Sequence, residues 1–305
     1  MTWQRNTLTF GIILVLGGFG LTAQGRAADQ PKITHRVNSR MVLVPVTVTD
    51  RNGKSIIDLK REHFQVMDDT TPVEIVSFGR EEAPVSIGIV LDLSGSMHTK
   101  RRHAVSAIRE IVTRSGPSDE ALLMTFSDSP ELRVAFTHNV ERVLDPLLLV
   151  GARGSTALID AVYAGLQQMK RAKNPRRVLV VVSDGGDNNS RYTESELTSL
   201  ALESDTQIYS ISIHEAVASV QERSGVFLLS KLSENTGGLH FTVRDRRELP
   251  GVAAKLSTAV NNLYVIGYHP PEGFLAGKWR RVKIRIENPT LGRLRVATKS
   301  GYFPD

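Results

Sequence analysis

Two short runs constrain this chain most: VSIGIVL at 85–91 and RRVLVVVS at 176–183, each with a continuous apolar stretch. A half-buried strand alternates apolar with polar residues; a strand with no wet face must be covered on both sides, as in a parallel sheet between two helical layers. Strand-like and helix-like stretches alternate around these runs. The pattern predicts a helix over about 98–114, strands ALLMTF (121–126) and LRVAF (132–136), and a helix over 157–171 capped by Ser155 or Thr156. After the second run it predicts a helix over 194–203, strand TQIYSISI (206–213), a helix over about 219–235, strand LHFTV (239–243) and a helix over 249–262. Such alternation implies an α/β fold with a doubly wound, mostly parallel sheet.

The flanks read differently. MVLVPVTVT (41–49) is β-branched and roughly alternating, the turn Asp50-Arg51-Asn52-Gly53 follows, and further strand signals lie at Phe64–Met67 and Val73–Phe78. After Leu263 come YVIGYHP, VKIRIEN and GRLRVATKSGYF. Neither flank holds enough strands to stand alone. Segments 33–80 and 263–305 are therefore expected to pair into a small β-sandwich, with the α/β domain (84–262) inserted between them. The second flank is basic, but Val282, Ile284 and Ile286 alternate with Arg281, Lys283 and Arg285, as a strand with one solvated face does.

The amino-terminal stretch has Arg5, an apolar run LTFGIILVLGGFGLTA (8–23) and small residues at Ala23, Gly25 and Ala27. That order predicts a signal peptide over 1–28 and a secreted, periplasmic or cell-envelope protein. The alternative, a retained membrane anchor, is shorter than the roughly 20 apolar residues a span needs. The net charge of +6 falls to +4 (36 basic, 32 acidic) without Arg5 and Arg26, too little to argue for a nucleic-acid partner. Cysteine is absent, which removes disulfides, thiolate zinc sites and thiol nucleophiles together.

Chemistry concentrates where strands end. The first buried run leads into Asp92-Leu93-Ser94-Gly95-Ser96, and the second ends in Ser183-Asp184-Gly185-Gly186-Asp187. A third loop, GARGST (151–156), presents Thr156 before a helix. The carboxyl edge of an open α/β sheet is where ligands bind, so three loops each bring hard oxygen donors to one edge. Few charges plus hydroxyls suit Mg²⁺ (or Mn²⁺), which wants octahedral oxygen ligation and keeps some of its waters. Asp187 reads as a loop residue, and His98 and His103 as surface residues with poor metal-pair spacing.

Asp92-x-Ser94-x-Ser96, Thr156 and Asp184 together resemble the metal-ion-dependent adhesion site of von Willebrand factor type A domains, whose fold is Rossmann-like. The resemblance covers roughly 84–262. With the ending GKWRRVKIRIEN…VATKSGYF, the chain is similar to a secreted bacterial family usually called VWFA-related and common in acidobacteria. The resemblance implies that Ser94 and Ser96 bind the ion directly, Thr156 directly or through water, and Asp92 and Asp184 largely through water. A protein partner's Asp or Glu would complete the shell. With two carboxylates at the ion, the site is expected to keep residual positive charge for that acid. The chain is thus expected to be a binding module, not an enzyme. Aspartyl-phosphate chemistry calls for a second carboxylate where Ser94 stands, and a hydrolase elbow needs glycine where Asp92 stands. A scaffold stiffened by the ion is the other class.

Overall fold

The computed structural model describes residues 41–149, 151–213, 219–272, 277–287 and 292–304. The expected leader (1–28) and residues 33–40 of the first β segment lie outside them.

The chain begins with β1 (Val42–Thr49), β2 (Phe64–Asp68), β3 (Thr71–Val73) and β4 (Ile75–Arg80). It continues through β5 (Val85–Asp92), α1 (Arg101–Thr113), β6 (Glu120–Phe126), β7 (Pro130–Thr137), α2 (Val140–Leu149) and α3 (Leu158–Met169). Next come β8 (Arg176–Ser183), α4 (Glu194–Glu203), β9 (Thr206–Ile213), α5 (Val220–Thr236), β10 (His240–Val243) and α6 (Leu249–Asn261). The last elements are β11 (Tyr264–Tyr268), β12 (Arg280–Ile286), β13 (Arg295–Thr298) and β14 (Gly301–Tyr302).

The central sheet has the order β10-β9-β8-β5-β6-β7. Every pairing is parallel except β6 with the edge strand β7. The two apolar runs are its neighbouring central strands, and their lack of alternation now has a cause. Ile87, Ile89 and Leu91 face a core shared with α1, α2 and α6, whereas Val90 faces one shared with α3, α4 and α5. Strand order reverses between β5 and β8, so the loops leaving their carboxyl ends part to opposite faces around a crevice, the standard ligand position in such sheets.

The other two sheets mix both flanks. One is β13-β1-β11-β4 and the other β14-β12-β2-β3, with all their pairings antiparallel. One apolar core joins Val44, Val46 and Ile266 of the first to Phe64, Val66, Val282 and Ile284 of the second, which makes a sandwich. Tyr264 pins it: its hydroxyl accepts from the Leu59 N–H at 2.9 Å and donates to the Ile56 carbonyl at 3.0 Å. On β12, Val282 and Ile284 are buried while Arg281, Lys283 and Arg285 are exposed.

Several local expectations change. Helix α2 was not foreseen, because Pro146 sits inside it and reads as a breaker. The strand expected over 73–78 is two, β3 and β4, which pair in different sheets; the chain crosses between sheets at Glu74. The helix expected from about residue 98 is a 3₁₀ turn at Gly95–Met97 followed by α1 from Arg101.

Candidate functional site

Asp92 ends β5 with no exposed surface. One carboxylate oxygen accepts from the Ser94 N–H at 2.8 Å, folding the loop back on itself; the other accepts from the Ser183 hydroxyl at 2.6 Å. That second bond ties the end of β5 to the end of β8. The Ser94 and Ser96 hydroxyl oxygens lie 3.1 Å apart. Ser94 is buried and Ser96 exposed, so the pair runs from interior to surface.

Asp184 follows Ser183 and is also fully buried. Its loop is fixed from behind. Gly185 has φ +90, and a side chain there would strike the backbone of α5 at Glu222. Reciprocally, a Cβ on Gly225 of α5 would lie 1.7 Å from the Gly185 carbonyl. Two glycines thus let a helix backbone press on the loop that aims Asp184.

The third loop docks on the first through two backbone bonds, Gly95 N–H to Gly154 carbonyl at 3.1 Å and Arg153 N–H to Leu93 carbonyl at 2.8 Å. Thr156 does not cap the following helix, and neither does Ser155, contrary to expectation. The N-cap is Ala157, with no side-chain cap of its own. Asp187 performs that task from the β8 loop, one carboxylate oxygen accepting from Leu158 N–H at 2.8 Å and Ile159 N–H at 3.3 Å. The Thr156 backbone N–H is held by the Asn188 side chain at 2.9 Å, and its carbonyl accepts from the Asn188 and Asn189 N–H groups. The hydroxyl is left to the crevice. A Cβ on Gly186 would lie 3.8 Å from both the Thr156 hydroxyl oxygen and an Asp184 carboxylate oxygen. All three loops therefore converge.

Residues 87–186 match the family model of the von Willebrand factor type A domain. Over those residues the chain has a von Willebrand factor type A domain. A solved structure described as von Willebrand factor type A from Catenulispora acidiphila is 12% identical at a TM-score of 0.51, covering 86% of this chain and 74% of that one. Proximal thread matrix protein 1 from the mussel byssus is 14% identical at a TM-score of 0.52, covering 63% and 50%. At such identities the likeness is one of fold. In sequence, an uncharacterized protein of Borreliella burgdorferi is 28% identical over 188 residues, 53% of this chain and 55% of that protein. This chain thus spans about half the length of that curated relative.

Within the type A domain, burial and then the charge of Asp184 push the Asp92 carboxyl up to about 6. Two carboxylates held together out of water favour a cation between them. With two serine hydroxyls and a threonine hydroxyl beside them, the donor set fits a hard divalent ion. Among the described residues no three of His, Asp and Glu gather as a metal-ligating group, so an ion here would draw on hydroxyls.

One cation is already in the site. Lys100, buried at the start of α1, places its ammonium 3.0 Å from an Asp184 carboxylate oxygen. This amends the expected charge, since two carboxylates alone formally balance a divalent ion. With a divalent ion bound, surplus positive charge would come from Lys100. Sequence reading missed Lys100, Ser183 and Asn188 and undervalued Asp187. Asp187 alone left a signal, as an acid beside the loop that starts a helix. His98 is exposed as expected, while His103 is only partly exposed.

Proposed function

We propose that this chain is an exported, adhesion-type binding module that grips an acidic side chain of a protein partner at the crevice formed by Asp92, Ser94, Ser96, Thr156 and Asp184. Those five residues would hold Mg²⁺ or Mn²⁺. The ion, when bound, supplies a bridge to a carboxylate of the partner. The observation that supports this most is the convergence of three separate loops, with two buried carboxylates, on the crevice between β5 and β8. Ser96 stands at the outer rim and opens the site to solvent. Asp92 and Ser183 keep the two strand ends in register, Asp187 and Asn188 aim Thr156, and Gly185 with Gly225 aims Asp184. The apolar leader pattern in the sequence supports export. The reading is non-enzymatic: Asp187 is spent on capping α3, and Ser94 stands where a second acid would be needed.

The test is capture from the extracellular fraction of the producing cells, with Mg²⁺ and with EDTA, using the native protein and Asp92→Ala. The captured partner is then identified and its acidic residues converted to amides. The reading expects capture that is lost with EDTA, with Asp92→Ala and with one amide variant. Equal capture with and without EDTA contradicts it. The burial of four of the five residues favours a second reading, in which the ion only stiffens the sheet edge. Capture that survives Asp92→Ala while stability falls would select that one.

A further inference from the structure

Among the described residues, Lys100 is the buried charge at this crevice that the proposed grip does not use. Its position is an unfavourable one for a cation. It is the N-cap residue of α1, where the unpaired N–H groups of the helix already carry partial positive charge. Its carbonyl accepts from the His103 and Ala104 N–H groups, so the backbone is committed to starting the helix. The side chain is 8% exposed and its partner Asp184 1%, so neither charge is neutralised by water. A buried ammonium at a helix amino terminus depends on a carboxylate to offset its lost hydration, and Asp184 supplies one.

We propose that Lys100 is the resident counter-ion of Asp184, which a divalent cation must displace, and that it thereby lowers the metal affinity of the site. The proposal rests on the metal-binding reading above. Charge counting gives its consequence. Asp92, Asp184 and Lys100 sum to −1 before loading and to +1 with a divalent ion. The loaded crevice then attracts a carboxylate, and the unloaded one repels it. Without Lys100 the same sums are −2 and 0, so the metal would bind more tightly and the partner's acid less so.

The experiment is calorimetric titration of the EDTA-stripped full chain with Mn²⁺ alone, for the native protein, Lys100→Met and Lys100→Gln, with thermal unfolding of each in EDTA and in saturating Mn²⁺. Removing a unit positive charge a few ångströms from the ion should tighten Mn²⁺ binding by about tenfold or more. It should also lower the Tm in EDTA, with recovery in Mn²⁺. Lys100→Gln keeps a hydrogen-bond donor for Asp184 and carries the affinity comparison if the methionine variant folds poorly. Mn²⁺ binding by Lys100→Met but not by the native chain would support the proposal in its strongest form. Equal Mn²⁺ affinity in all three proteins overturns the proposal and leaves the metal site standing. Absence of Mn²⁺ binding in all three overturns both.

Discussion

Asp92 shows at the scale of one residue what it costs to assemble this crevice. Burial and then the charge of Asp184 raise its carboxyl from 3.8 to about 6. A raised acid pKa means that the fold holds a proton the unfolded chain has already released. Metal-free stability should therefore fall as pH climbs from about 4 to about 6 and then level off, by about 3 kcal/mol in all. Asp92→Asn removes that cost. In EDTA above pH 6 its Tm should exceed the native value by several degrees, the gain vanishing near pH 4, and it should bind no Mn²⁺; calorimetric scans across that pH range check it. Asp187 makes a second case. Losing the acceptor for Leu158 and Ile159 should cost Asp187→Ala about 1 kcal/mol in urea unfolding. It should also weaken Mn²⁺ binding, because the helix start that follows Thr156 loses its cap. Asp92, Ser94, Ser96, Thr156 and Asp184 were legible from their place after apolar runs and before helices. Lys100 was not: 84 positions separate it from Asp184, and a lysine entering a helix reads as solvated.

Among the elements, α5 and β12 carry the sharpest consequences. A Cβ on Gly225 would overlap the Gly185 carbonyl, so Gly225→Ala must push α5 away from the loop that aims Asp184. Overpacking of that kind typically costs about 1–3 kcal/mol. Mn²⁺ affinity should drop with it, whereas Gly251→Ala on α6, where a Cβ meets open space, should leave the affinity unchanged and cost no stability. In the sandwich, Arg280 on β12 reaches the fully buried Asp68 of β2 at 2.6 Å, and the Tyr302 hydroxyl donates to the same carboxylate at 2.8 Å. Arg280→Met removes the ion-pair partner of that buried carboxylate and should destabilise the chain by about 3 kcal/mol in urea unfolding. Strand legibility followed burial. Runs covered on both faces, such as 85–91 and 176–183, gave their bounds almost to the residue, and β12 showed its single wet face. Helix α2 stayed hidden because Pro146 masks a helix made by packing against β7 and α1 rather than by propensity.

For the whole molecule, the decisive feature is that both flanks contribute strands to each sheet of the sandwich, with the six-stranded α/β sheet and its helices spliced between β4 and β11. The sequence pattern carried this through a simple physical shortage, since neither flank had strands enough to bury a face. It could not carry the crossing at Glu74, which depends on how two sheets share one short stretch of chain. The same layout lets α6 run into β11 with only two residues between them, so a shift of α6 would be felt in the sandwich. Among the described residues no helix is long and apolar enough to cross a membrane. Everything proposed about grip and charge depends on whether one cation sits where the three loops meet. Crystals soaked in Mn²⁺ and measured at the manganese edge test that directly. A single anomalous peak within coordination distance of at least three of Asp92, Ser94, Ser96, Thr156 and Asp184 is expected. A crevice with no peak while manganese appears elsewhere on the chain would contradict it.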